Sequence, residues 1–228
     1  MVPAVTRVPL PWVAVLAVIT RIIERNWEMA IAMLLGFHCY LRPTELESLT
    51  AGQIAIAEDR PRQCYDVGLI LAPSYGDAPG KTGYWEEAVM VDHLPLLKPA
   101  LAFLKCRAAS PDAALWNFPR GDLVEVLRAH GNALGLQEIN VSLYSLRHGG
   151  ASRDLLKKYR TLKEIKLRGR WASDSSLRRH SKETKLVDIL SRVPPSTIRL
   201  GEWLEEQLPA VVRQRAPQAA QEFFRCVV

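Results

Sequence analysis

Apolar residues recur at helical spacing over residues 13–23 and again over 28–35, with Trp27, Met29, Met33 and Leu34 in the second run. The pattern predicts two packed helices, the first opening near Pro11 and the second loosened at its end by Gly36. Pro43 fits the first turn of a short third helix, which leaves Arg42 at the junction. An arginine there can point into a cleft, or it can lie on the surface paired with Glu45 or Glu47.

The period then changes. Residues 65–71 form a short apolar run, residues 73–80 are rich in Gly, Pro and Asp, and residues 85–91 read as a returning strand. A hairpin or small sheet is expected, with Lys81 at the start of the returning arm. Helical spacing resumes over 96–108 and 121–134, separated by a loop at 111–120. Ser145 is a candidate cap for a helix running to about residue 158. Thr161 and Glu164 have capping-box spacing for a short helix closed by Gly169. Ser173 or Asp174 can cap another, carrying Arg178, Arg179 and His180. Pro194-Pro195 is expected to end the compact part. A last amphipathic helix over 197–215 and a loosely held tail after Pro217 complete the reading.

Composition changes little in this picture. A chain of 228 residues can bury a substantial core, as one large domain or as one domain with an extension. Its apolar and charged fractions are those of an ordinary soluble globular protein. Residues 12–19 are apolar but too few to span a bilayer, and no small-residue cleavage site follows. The four cysteines, Cys39, Cys64, Cys106 and Cys226, lack metal-ligand spacing. They read as reduced thiols of an intracellular protein, nuclear in a eukaryote and otherwise cytoplasmic.

Charge changes more. Between Arg147 and Lys185 there are 13 Lys or Arg against 4 Asp or Glu, a local net of +9 in a chain whose total is +6. All of the positive excess therefore lies in this stretch. Such a field suits a polyanion, of which nucleic acid is the commonest, or else it is a solvated basic face.

The order of four motifs then becomes informative. Arg42-x-x-Glu45-Leu46 comes first, and Lys81-Thr82-Gly83 follows in a β-turn. Leu146-Arg147-His148-Gly149-Gly150-Ala151 comes next, then Gly169-x-Trp171 with an aromatic residue nine positions on. In order and spacing the chain resembles the catalytic domain of the tyrosine recombinases, or phage-type integrases, over roughly residues 13–190. The resemblance implies a mainly α fold with a small antiparallel β-sheet over residues 13–193, after a lead of 1–12 and before a C-terminal helix and tail of 194–228. It also implies double-stranded DNA as partner, no membrane partner, and homo-oligomerisation on DNA as an open alternative. The implied chemistry is DNA cleavage and rejoining through a phosphotyrosine, without a metal or nucleotide cofactor, in DNA integration and recombination by mobile elements.

The residue types suit that chemistry. Strand transfer passes through a crowded, negatively charged phosphorane, to which two arginines offer forked donors. Arg42 and Arg147 match the family's pair. Each donor aimed at developing charge is worth about 3 kcal/mol, by analogy with an oxyanion hole. Lys81 matches the general acid for the leaving 5′ oxygen. Trp171 matches the fourth phosphate donor through its indole N–H, with Arg170 as its rival for that place. Tyr144 stands where the family has His, Lys or Tyr. Arg170, Arg178 and Arg179 are the candidate DNA-binding residues. The main departure is His180, which stands in place of the nucleophilic tyrosine. Imidazole can attack phosphorus, so two alternatives stay open: a copy that binds phosphate without cleaving, or an enzyme using His180 or a displaced tyrosine such as Tyr159. A third is an interaction module that kept only the scaffold. The helical clamp that usually precedes the catalytic domain is expected to be missing, leaving a fragment or a half-clamp.

Overall fold

The structure is a computed structural model, and it describes residues 8–59, 64–72, 87–92, 94–139, 141–173 and 183–226. At its centre lie α1 (Trp12–Ile22) and α2 (Trp27–His38). Every residue of α2 except Glu28 is buried, as befits a helix apolar on all faces. Gly36 sits inside this helix rather than loosening its end: the helix runs on to His38. A short α3 (Pro43–Glu47) follows, with Pro43 in its first turn and Arg42 as its N-cap, as the sequence suggests.

Among the described residues the sheet has three antiparallel strands in the order β1-β2-β3, so of the two expectations, hairpin or small sheet, the small sheet is the one that forms. The addition is β1 (Ile54–Asp59), which pairs with β2 (Cys64–Ala72); β2 in turn pairs with β3 (Glu87–Met90). The run Ile-Ala-Ile-Ala alternates a strong strand former with a weak one. It becomes a strand because Ile54 and Leu69 pair across the ladder and are both buried on the side where α4 (Leu97–Arg107) packs. Next come α5 (Asp122–Ala133), α6 (Leu143–Leu156) and α7 (Leu162–Arg168), then α8 (Glu183–Leu190) and α9 (Pro195–Arg215). The cap of α6 is Ser142, not Ser145; Ser145 is the third helical residue and its Oγ accepts from the Ser142 N–H at 3.2 Å. Among the described residues no helix is long and apolar enough to cross a membrane.

Three close approaches fix the layers. An added Cβ at Gly149 would lie 2.2 Å from the Leu10 carbonyl oxygen, and at Gly150 2.0 Å from that of Phe37. These two glycines let α6 lie directly on α2 and on the segment entering α1. At Gly201 an added Cβ would lie 2.0 Å from the Val13 carbonyl oxygen, so α9 packs backbone to backbone on α1.

Two expectations about the C-terminal part are thereby corrected. The compact part does not end at Pro194-Pro195, because Pro195 is simply the first residue of α9. Trp12 Nε1 donates to Glu205 at 2.8 Å and Trp27 Nε1 to the Val212 carbonyl at 3.0 Å. Nor is the tail loosely held: Ala220 and Phe224 are buried, and the Phe224 ring meets Trp27 edge to face at 6.3 Å. Phe224→Ala should therefore lower unfolding free energy by about 3 kcal/mol, the low end for a buried phenylalanine. A urea titration that places the variant's midpoint on that of the natural chain would show the tail to be dispensable.

Candidate functional site

Two helix ends build the centre of the site. Helix α2 ends with Cys39, then Tyr40 at φ +49°, with the Leu41 N–H donating back to the Gly36 carbonyl at 3.2 Å. Helix α7 ends the same way. Arg170 takes φ +53° and donates its N–H to Leu167 O at 3.0 Å, and Trp171 N–H donates to Lys166 O at 3.1 Å. This is the Schellman arrangement, which normally places glycine at the left-handed position. Here tyrosine and arginine occupy it, an uncommon choice that only a surrounding structure can hold in place. Gly169 is not the left-handed residue, contrary to expectation; its φ is −79°. It is needed for space, since an added Cβ would lie 2.1 Å from the Trp171 ring.

Arg147 supplies what holds both ends. It is buried on α6, and its two terminal nitrogens donate to Tyr40 O and Gly169 O. One planar fork thus joins the C-termini of α2 and α7, where the helix dipoles favour a cation. Its guanidinium also lies over the Trp171 ring, 4.7 Å from the centroid. Trp171 is in turn stacked on Tyr40 at 6.2 Å. Burial first, then neighbouring Arg170, push Arg147 down to about 9, which leaves it protonated at neutral pH.

Arg42 enters from the N-terminus of α3. Its Nη1 donates to Glu45 Oε1 at 2.5 Å and to Glu87 Oε2 at 3.0 Å, and its Nη2 reaches Arg170 O at 3.5 Å. Glu45 also accepts from the Arg42 backbone N–H at 2.7 Å. Arg170 points inward rather than to the surface: it meets Glu45 Oε2 at 2.5 Å, Glu87 Oε2 at 3.5 Å and the Arg168 carbonyl at 3.0 Å. Three guanidiniums and two carboxylates thus share one partly buried place. Burial lowers the pKa of Arg170 against the opposing pull of the Glu45 carboxylate, with Arg42 adding to the fall, whereas for Arg42 burial is outweighed by the Glu45 and Glu87 carboxylates, which raise its pKa.

A second ionic layer lies behind this one. Tyr40 Oη donates to Asp154 Oδ2 at 2.5 Å, and Arg160 bridges Asp154 to Asp92. Arg168 meets Asp92 at 2.9 Å and donates from Nε to the His38 carbonyl at 2.9 Å. Burial and the adjacent Asp154 push the Tyr40 phenol well above its ordinary range, so it stays a donor. Arg147, Arg160, Arg168 and Arg170 of the basic stretch therefore turn inward onto protein groups. Lys157, Lys158 and Lys163 face solvent.

Arg42, Arg147, Arg170 and Trp171, far apart in sequence, thus come together. Tyr144 lies one turn ahead of His148 on α6, the two rings stacked at 6.5 Å. Lys81, Arg178, Arg179 and His180 lie outside the described residues. Sequence reasoning missed Glu87 and the Tyr40 carbonyl. Glu87 was detectable, because it alternates in phase with the apolar Val89 and Val91 and so falls on the inner face of β3. Tyr40 carried no signal, since nothing in its type announces a left-handed backbone.

No family model matches the chain, and no curated protein does. Among solved structures it is similar to the XerH site-specific recombinase bound to its difH substrate in a pre-cleavage complex, at 17% identity and a TM-score of 0.57. The match covers 84% of this chain and 56% of that one, so this chain spans little more than half of that recombinase's length. A likeness at this identity concerns the fold. The chain is mainly helical with a small antiparallel sheet, a fold like that of the tyrosine recombinase catalytic domain.

Proposed function

We propose that this chain is a DNA-binding domain of tyrosine recombinase type, tied to DNA integration and recombination, whose strand cleavage is impaired because His180 replaces the nucleophile. The observation that carries this reading is the gathering of Arg42, Arg147, Arg170 and Trp171 where α3, α6 and the end of α7 meet. A phosphate is the ligand whose charge and planar acceptor edges suit several guanidiniums at once. In this reading Arg42 and Arg147 act on the phosphate oxygens and Trp171 is a further donor. Lys81 is the acid for the leaving oxygen, and the lysines of the basic stretch hold the flanking backbone.

Binding to a random duplex is expected to be sequence-independent and to weaken steeply with salt, with a logarithmic slope of about −0.9 per phosphate neutralised. Affinity that stays flat between low and physiological salt would remove the electrostatic reading. The second test is covalent. A histidine side chain is shorter than tyrosine, and a misplacement of about 1 Å can reduce a rate about 100-fold. A nicked, 5′-labelled duplex should therefore give no protein–DNA adduct with the natural chain, while His180→Tyr should give some. The gel must be run at alkaline pH, which preserves phosphohistidine. An adduct from the natural chain that disappears in His180→Ala would make it a histidine-dependent strand transferase.

Tyr159 is disfavoured as a displaced nucleophile. Its ring lies 5.4 Å from Arg153, whose guanidinium also lies over Trp12 at 4.8 Å. Arg153 is six residues beyond Arg147, which turns it about 120° around α6.

A further inference from the structure

We propose that Glu87 is a built-in counter-anion, its carboxylate lying between Arg42 and Arg170 and competing there with an incoming phosphate group. The inference rests on the reading of this pocket as an anion site and adds a residue that sets how tightly the site takes its ligand.

Three observations carry it. The first is position. Glu87 opens β3 on the same face as Val89, and both are buried, while Ala88 and Met90 face outward. A carboxylate in an apolar phase is costly unless it is paired. The second is how the strand aims it. The β2–β3 register slips between Ile70 and Ala72, so Glu87 pairs with Ala72 across an irregularity. The extra residue, Leu71, is on β2, so β3 keeps its alternation and carries Glu87 on the face of Val89. The third is what it meets. The single oxygen Oε2 lies 3.0 Å from Arg42 Nη1 and 3.5 Å from Arg170 Nε. These guanidiniums, 128 residues apart in the sequence, flank one oxygen, hydrogen-bonded from Arg42 and ion-paired with Arg170, as they would flank a phosphate oxygen.

Glu45 does not play the same part. Its carboxylate also closes the first turn of α3 through the Arg42 backbone N–H, so it is tied to the local fold. Glu87 bonds across elements and can be exchanged for an external anion without unwinding a helix. An entering phosphate then either displaces the carboxylate or lies beside a like charge, and both weaken binding. Removing the charge while keeping the side-chain length leaves Arg42 and Arg170 short of a counter-ion, which an external anion can supply.

The test uses the full chain with Glu87→Gln, Glu87→Asp and Arg42→Gln/Glu87→Gln. The probe is inorganic phosphate, compared with chloride at equal ionic strength and read by thermal unfolding and equilibrium titration. Glu87→Gln should bind phosphate about tenfold or more tightly than the natural chain, because one like charge has left the site. Glu87→Asp should behave like the natural chain, and the double variant should lose the gain. Should Glu87→Gln fail to unfold cooperatively in chloride, phosphate should restore the transition. Equal phosphate affinity in the natural chain and Glu87→Gln, or a defect that phosphate does not repair, overturns the proposal and leaves Glu87 a structural ion pair. The same variants on a DNA duplex separate this outcome from the broader reading. A phosphate gain without any salt-sensitive DNA binding would retain the counter-anion and reject the DNA-binding function. DNA binding without the phosphate gain would do the reverse.

Discussion

Replacing Arg147 with methionine is expected to remove about 2–3 kcal/mol of stability, although it deletes a buried charge that sits near two others of the same sign. Magnitudes decide the direction. Gly169 O loses its donor and Tyr40 O keeps only a long one, Arg170 Nη2 at 3.5 Å, and an orphaned group costs about 1–3 kcal/mol. Against this stands the relief of removing a desolvated cation beside Arg42 and Arg170. That relief is partial, because both carbonyls lie at helix C-termini, where a cation is favoured. Methionine keeps most of the volume, so the loss measures the donors rather than a cavity. Lysine should recover only part, since a point charge cannot reach two acceptors in one plane. Urea unfolding of the three proteins checks this. A methionine variant as stable as the natural chain would mean that the two helix ends hold their left-handed turns unaided. The same variant should also weaken DNA binding more than a comparable change at Arg213, which lies outside the basic stretch.

Gly150→Ala should be more damaging than its single methyl suggests. The added Cβ would lie 2.0 Å from the Phe37 carbonyl oxygen, and what it meets is backbone, which cannot turn aside. Helices α2 and α6 would have to separate along a contact that also carries Tyr40 and Arg147. Overpacking in a core commonly costs 1–3 kcal/mol, and a backbone clash belongs at or above the top of that range, about 3 kcal/mol. Gly131→Ala is the control. Its Cβ would make an ordinary contact, 3.5 Å from Val141 Cγ2, inside α5. There alanine should stabilise by about 0.5–1 kcal/mol, through helix propensity and a less flexible unfolded chain. Thermal unfolding of both variants tests the contrast. Similar midpoints for the two would show that α6 does not pack on α2 as described.

Local patterns in the sequence were enough for most elements and for the motifs. The apolar periods of α1, α2, α4 and α5, the proline start of α3 and the Thr161–Glu164 box of α7 are short-range signals, and such signals survive into the fold. The identity and order of Arg42, Arg147 and Trp171 were also legible, because they are properties of the chain. What could not be read there depends on distant partners. Strand β1 is settled by Leu69 and α4 covering Ile54, because four residues of Ile-Ala alternation are too short a signal alone. The tail is buried because Trp27 and α4 offer a surface to Phe224. Gly169 looked like a left-handed cap, but the position needed room for an indole, and the left-handed turn passed to Arg170. A run of 13 bases looked like one field, yet tertiary packing turned Arg160, Arg168 and Arg170 inward onto Asp92, Asp154, Glu45 and Glu87, while Lys157, Lys158 and Lys163 face solvent. Sequence fixes which charges a chain carries; only the folded backbone decides which of them must be desolvated and therefore paired.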